Sequence, residues 1–224
     1  MKIVVDTASP AEAREAFAHP FVDGCTTNAR EVAYNNANGE DLAAYVKEMR
    51  SIVRGILHFQ VTTETAEEMI AEGRAIAKLV SEVRVKIPVN LEGLKAIRQL
   101  SSEGIECAAT ACNTVGMGLL AAQMGAASVI SYYGVIEDFE TNGGDLLKDT
   151  RTAFDNYGYK TEIYFFARNA KEAKNGMIAG ADACLMTWAG LKSLVDDPLS
   201  TREVAFMNAE WKRLRGNETW VDVK

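Results

Sequence analysis

The chain has 224 residues, 48% of them hydrophobic, and a net charge of −7. That is enough apolar material for one large domain or two small ones. The acidic balance, with no basic run, argues against a nucleic-acid surface, and no apolar stretch reaches the roughly 18 residues a membrane span needs.

Lys2-Ile3-Val4-Val5-Asp6 reads directly as a strand, with no secretory h-region or cleavage site. Ser9-Pro10 is a helix start signal, and an Ala-rich helix follows over Ala11 to Ala18. A second short strand is expected over Phe21 to Gly24. It leads through Cys25-Thr26-Thr27-Asn28 into a helix in two parts, broken near Asn36-Ala37-Asn38-Gly39. Ile56 to Val61 is a third strand, and Thr62-Thr63-Glu64 caps a helix running to about Val80. In Val83-Arg84-Val85-Lys86-Ile87-Pro88-Val89 the apolar residues alternate at period two, so Arg84 and Lys86 share the opposite face. Pro88 ends that strand and Asn90 caps the next helix. Further strands are expected at Ile105–Thr110, Ser128–Tyr133, Lys160–Phe166 and Ala181–Met186, each followed by a helical pattern. The helix after Tyr133 opens from the loop Thr141-Asn142-Gly143-Gly144-Asp145. An extra helix runs from about Ser200 to Arg215, and its Ala205, Phe206, Ala209 and Trp211 could pack on the same domain or on a neighbouring subunit.

Strict alternation of eight strands with helices implies a parallel sheet. With eight units the expected fold is α/β: a single-domain (β/α)8 TIM barrel over residues 1–224, with 199–224 as C-terminal helix and tail. A doubly wound open sheet is the alternative, but its Gly-rich fingerprint after the first strand is missing. Cys25, Cys107, Cys112 and Cys184 show no CxxC spacing and, with His19 and His58, make no convincing zinc set. Reduced thiols, a cytoplasmic protein and no metal or other cofactor are expected.

In a closed barrel Val83, Val85 and Ile87 face the helices, and Lys86 points inward near the rim where such folds build active sites. Desolvation there disfavours the ammonium and frees an amine to attack a carbonyl, while a nearby anion such as Asp6 opposes this. The strand ends contribute Asp6, Asn28, Gln60, Lys86, Thr110, Tyr132 and Arg168 to one rim. An amine, a carboxylate, two amides, a hydroxyl and a phenol aimed at one volume are the inventory for imine chemistry. His58 lies deeper on the Gln60 face and is expected to be a hydrogen-bonded interior residue.

Asp6, Thr26-Thr27-Asn28, Val85-Lys86-Ile87-Pro88-Val89 with Glu92-Gly93-Leu94, Gly104-Ile105 and Gly125-Ala126 keep the order and spacing of a known set of motifs. Over nearly its whole length the chain resembles the small transaldolase family, in particular its fructose-6-phosphate aldolase branch. The resemblance implies a metal-free class I aldolase with Lys86 as the Schiff-base lysine. Asp6 and Asn28, with the neighbouring Thr27, would hold the donor ketone, and Asp6 and Asn28 would help proton transfer. Gln60, Thr110 and Tyr132 would hold the catalytic water, with Tyr132 the proton donor or acceptor, directly or through that water. Gln60 and Tyr132 favour an aldolase that releases dihydroxyacetone; transaldolases of the family tend to have Glu and Phe at these positions. The resemblance also suggests a ring-shaped homo-oligomer, with Trp211 and Trp220 as candidate contacts, although a helix folded back on its own barrel fits equally.

Two departures bear on the substrate. The family's phosphate-binding Arg and Ser fall at Val135 and Phe166, and its Pro-Ser after Thr-Thr-Asn is Ala29-Arg30. Either the substrate tail lacks a phosphate, or Arg30, Arg168 and the N–H groups around Asn142, Gly143 and Gly144 hold an anion such as a sulfonate. A transaldolase acting on a modified ketose and a non-catalytic sugar-binding barrel are the other readings.

Overall fold

The computed structural model describes residues 1–35, 41–139 and 142–222. Its strands are β1 Lys2–Asp6, β2 Gly24–Thr26, β3 Ile56–Gln60, β4 Val83–Pro88, β5 Cys107–Thr110, β6 Ser128–Tyr132, β7 Glu162–Phe166 and β8 Ala183–Met186. Each pairs in parallel with the next, and β8 closes on β1, so the sheet is the expected eight-stranded barrel in sequence order. Between the strands run α1 Pro10–Phe17, α2 Ala29–Asn35, α3 Leu42–Ile52, α4 Ala66–Leu79, α5 Leu91–Ser102, α6 Val115–Gln123, α7 Tyr133–Asp138, α8 Gly143–Tyr157 and α9 Ala170–Ile178. After β8 come α10 Trp188–Ser193 and α11 Pro198–Arg215. The expected break around Asn36–Gly39 and the loop residue Thr141 lie outside the described residues.

Local chemistry sets the element ends. Ser9 caps α1 by accepting from the Glu12 N–H, and Asn90 caps α5 by accepting from Gly93. Such a cap contributes about 1 kcal/mol. The cap of α4 is Thr65, three residues later than the start of the expected Thr62-Thr63-Glu64 signal, because the Glu72 carboxylate takes the Thr62 and Thr63 N–H and hydroxyl groups. Strands β5 and β7 begin two residues later than their apolar runs. Gly104 and Gly158 take positive φ angles of 79° and 71° to end the preceding helices. Ile105 and Tyr159 then donate back into those helices, to Leu100 and Phe154, before the chain straightens. Strand β2 starts at Gly24, not Phe21: residues 19–22 form a turn, and the half-exposed Phe21 ring stacks on Trp188 and lies tilted against His19.

Two apolar layers follow from the alternation along each strand. Val5, Leu57, Phe59, Val85, Ile87, Ile163 and Phe165 pack outward against the helices in one continuous core. Val4, Ala108, Ile130, Tyr164, Ala183 and Leu185 fill the barrel's interior. At its N-terminal end the buried Arg84 donates to Glu106 at 3.0 Å, to Glu162 at 2.9 Å and to the Tyr164 hydroxyl at 3.4 Å, and Lys2 also reaches Glu162. The interior is therefore closed below by ion pairs, and its polar side chains collect towards the opposite rim.

Helix α11 does not pack back on its barrel. None of its residues is buried, and Val204, Phe206, Met207 and Leu214 are exposed. Trp211 and Trp220 instead meet each other at 5.4 Å, and the Trp211 indole donates to the Glu218 carbonyl at 2.7 Å.

Candidate active site

Lys86 lies on the inward face of β4, only 3% exposed, and its Nζ donates to the Thr27 carbonyl at 2.9 Å. Two features position it. Gly93 lets α5 start directly against the end of β4, since a Cβ there would sit 1.9 Å from the Pro88 carbonyl oxygen. The strand register sets Gln60 of β3 and Ala108 of β5 on either side of Lys86, and the small alanine leaves the amine room. The Thr27 hydroxyl donates to the His58 carbonyl at 2.8 Å, so Thr27 serves the site through its backbone, as the support of the amine.

Asp6 ends β1 beside Thr26. Its Oδ1 is buried without a hydrogen-bond partner, as are the hydroxyls of Thr110 and Thr26. Leaving such groups unpaired costs about 1–3 kcal/mol each, so their clustering around a buried amine marks a place built for a polar ligand. Burial is the main cause that raises the Asp6 carboxyl to about 7, and the negative charge of Glu31 adds to it, while the Lys86 ammonium opposes both. Asp6 therefore exchanges its proton in the neutral range.

Tyr132 closes β6 half-buried, its ring 6.3 Å from that of Phe166 on the neighbouring β7. Asn28 is half-buried at the start of α2, and its Oδ1 accepts from the Glu31 N–H at 3.0 Å, which leaves its amide donors for a ligand. Arg30 is exposed on the same helix.

Three expected ligand contacts are engaged elsewhere. Arg168 donates to Asp138 at 2.7 Å and to Glu172 at 2.9 Å, so two carboxylates neutralise it. The Gly143 N–H donates to Glu137 at 3.0 Å, and the Asn142 side chain accepts from Gly144 and Asp145 to cap α8. An anion aimed at these groups would compete with acceptors already in place, carboxylates at Arg168 and Gly143 and the Asn142 amide oxygen at Gly144. A Cβ on Gly134 would collide with Arg168, which shows how closely α7 fits under the guanidinium.

His58 is an interior residue, as expected, but neither ring nitrogen has a hydrogen-bond partner in the protein. It packs 5.8 Å from the Tyr164 ring. Burial, then the charges of Arg84, Lys86 and Lys2, hold it well below its ordinary range, so it is neutral. The residue that sequence reasoning missed is Glu31. Its only signal is the spacing Asn28-x-x-Glu31, which reads as a helix start. Among the described residues no group of three or more His, Cys, Asp or Glu side chains could hold a metal ion, and no helix is long and apolar enough to cross a membrane.

The site can be set beside known proteins. Residues 3–221 match the family described as Transaldolase/Fructose-6-phosphate aldolase. A protein named probable transaldolase from Brucella anthropi is 36% identical over 95% of this chain and 97% of its own. One of the same name from Lactiplantibacillus plantarum is 36% identical over 97% of this chain and 100% of its own. A third, from Bartonella tribocorum, is 33% identical over 97% of this chain and 99% of its own. With a closed (β/α)8 barrel, an inward lysine on β4 and a match over nearly its full length, the chain belongs to the transaldolase/fructose-6-phosphate aldolase family of enzymes.

Proposed function

We propose that the protein is a class I aldolase that makes or breaks a ketose C–C bond through an imine on Lys86, with a dihydroxyacetone-type donor. The observation that carries this reading is the buried inward amine of Lys86, held on the Thr27 carbonyl among unpartnered groups of Asp6 and Thr110. The amine adds to the ketone carbon, and loss of water yields a protonated imine. That imine takes up the electron pair released when the neighbouring C–C bond breaks. Asp6 and the Asn28 amide hold the donor's hydroxyls, and Tyr132, Gln60 and Thr110 hold the water that moves protons and later hydrolyses the imine. No metal or other cofactor is required, and the working compartment is the cytoplasm.

The substrate's far end is read as uncharged. Arg168 is neutralised, the Gly143 and Gly144 amides are occupied, and Phe166 and Val135 offer carbon surface. Transfer of the three-carbon unit to an acceptor is the second reading, favoured by the names of the relatives. The test is to incubate the protein with fructose or dihydroxyacetone and add borohydride. A three-carbon adduct on Lys86 is expected, with faster cleavage of fructose than of its 6-phosphate. Free dihydroxyacetone released without an acceptor aldehyde marks the aldolase, and strict dependence on the acceptor marks the transferase. No adduct with any ketose would leave the sugar-binding barrel.

The protein is further proposed to be a homo-oligomer in which α11 reaches a neighbouring copy. Support comes from the helix's uncovered Phe206, Met207 and Leu214, which would bury apolar surface between subunits. Sedimentation should give a multiple of 24.4 kDa for the full chain, and a smaller species for Phe206→Glu. A wild-type monomer would defeat this.

A further inference from the structure

Glu31 has no place in the chemistry derived so far, yet its charge acts on Asp6. It sits on the first turn of α2, three residues beyond Asn28, and its Oε2 is buried without a hydrogen-bond partner. Asp6 Oδ1 is in the same condition at the end of β1. Two buried, unpaired carboxylate oxygens, one at the end of β1 and one on the helix that follows the neighbouring β2, are a costly arrangement, because each is shielded from water and like charges repel. A proton on Asp6 relieves both penalties.

We propose that Glu31 is a positioning residue that favours a proton on Asp6, ready for the hydroxyl that leaves when the Lys86 imine forms. This inference rests on the imine reading above. The carbinolamine carries a hydroxyl and the Lys86 nitrogen on one carbon. The Asp6 carboxyl gives its proton to that hydroxyl, the C–O bond breaks and water departs. The nitrogen lone pair closes the C=N bond, leaving a protonated imine beside an Asp6 carboxylate. The two opposite charges then stabilise one another, and hydrolysis returns the proton.

The other charges around Asp6 do not replace Glu31 in this role. Glu12 of α1 acts in the same direction but less strongly, and Lys86 of β4 and Arg30 of α2 act against it. The remaining titratable neighbours are the Cys25 thiol and the Tyr45 phenol. Burial raises both, with the nearby carboxylates adding to it, so both are neutral here.

The experiment uses the full chain and two readouts. The Asp6 carboxyl is titrated by carbon-detected NMR in the wild type and in Glu31→Gln, Glu31→Asp and Glu12→Gln. Imine formation with dihydroxyacetone is followed by cyanoborohydride trapping between pH 5 and 9. Glu31→Gln should lower the Asp6 midpoint by about one pH unit, the scale of a close like charge. Its trapping profile should move by the same amount, so trapping slows several-fold at pH 7.5 and is unchanged at pH 5.5. Glu31→Asp keeps the charge and should stay near the wild type, and Glu12→Gln should have the smaller effect. An Asp6 midpoint unmoved in Glu31→Gln overturns the coupling, and a moved midpoint with an unmoved trapping profile overturns the proton delivery. If the wild type traps no ketone at any pH, the imine reading falls and takes the delivery step with it, while the NMR titration still decides the coupling.

Discussion

Lys86→Met is expected to lower turnover of the cleaved ketose by at least about 10⁴-fold, because on the proposed reading the Lys86 amine is the nucleophile and a thioether cannot form an imine. Methionine has nearly the same length and no charge, so it fills the space between the Gln60 and Ala108 positions without a new polar burial. The lost bond to the Thr27 carbonyl costs about 1 kcal/mol, and removing a desolvated amine offsets it. The variant should therefore melt close to the wild type while the borohydride adduct disappears from the peptide that carries residue 86. Steady-state cleavage, mass spectrometry of the trapped protein and a thermal melt check the three parts. Residual activity above about 1% of wild type would mean that the imine does not form at this position.

Asp6→Asn should do the reverse, trading activity for stability. The folded carboxyl titrates at about 7 against an ordinary 3.8, chiefly because burial penalises its charge. Between those values the native state holds a proton that the unfolded chain has already released. Stability therefore falls as pH rises through this window, and the deficit persists above it. A shift of about three units corresponds to a ceiling of roughly 4 kcal/mol. Asparagine does not titrate, so the variant and the wild type should melt alike near pH 4 and separate progressively up to pH 8, where the variant is more stable by roughly 2–4 kcal/mol. Its rate of imine formation should drop by about 10²-fold, the usual contribution of a positioned acid. Denaturant melts at unit pH intervals give the first result and trapping kinetics the second. An Asp6→Asn protein less stable than wild type at pH 8 would show that the carboxylate is welcome where it sits, contrary to its burial.

The two substitutions illustrate why sites of this kind are expensive. Lys86 and Asp6 are each poorly suited to a closed interior, and they persist as a pair because each charge partly answers the other. Glu31 tilts that balance towards a protonated Asp6, which is the opposite of what fold stability alone would select. The ion pairs of Arg84 at the other end of the barrel have the contrary character. There every charge has a partner, and the arrangement closes the interior without offering a reactive group.

The local pattern of the chain was sufficient for the barrel and for where several candidate site residues fall along its strands. Period-two alternation in Val83–Pro88 decided that Val85 and Ile87 meet the helices and that Lys86 turns inward, since neighbouring side chains on a strand must point to opposite faces. The polar strand ends Asp6, Gln60, Thr110 and Tyr132 followed from the same rule. Of the two partners of Arg168, Glu172 lies only four residues on, at helical spacing, but Asp138 is thirty positions distant on α7 and could not be read that way; it reaches the guanidinium only because β6 and β7 pair side by side. The same holds for Glu31, whose spacing from Asn28 announces a helix start but whose charge bears on Asp6 only because β1 and β2 pair side by side. Alternation and capping are short-range and survive in any stretch of sequence. Burial, and with it the protonation of Asp6, is a property of what distant segments exclude from water, and it exists only once the chain has folded.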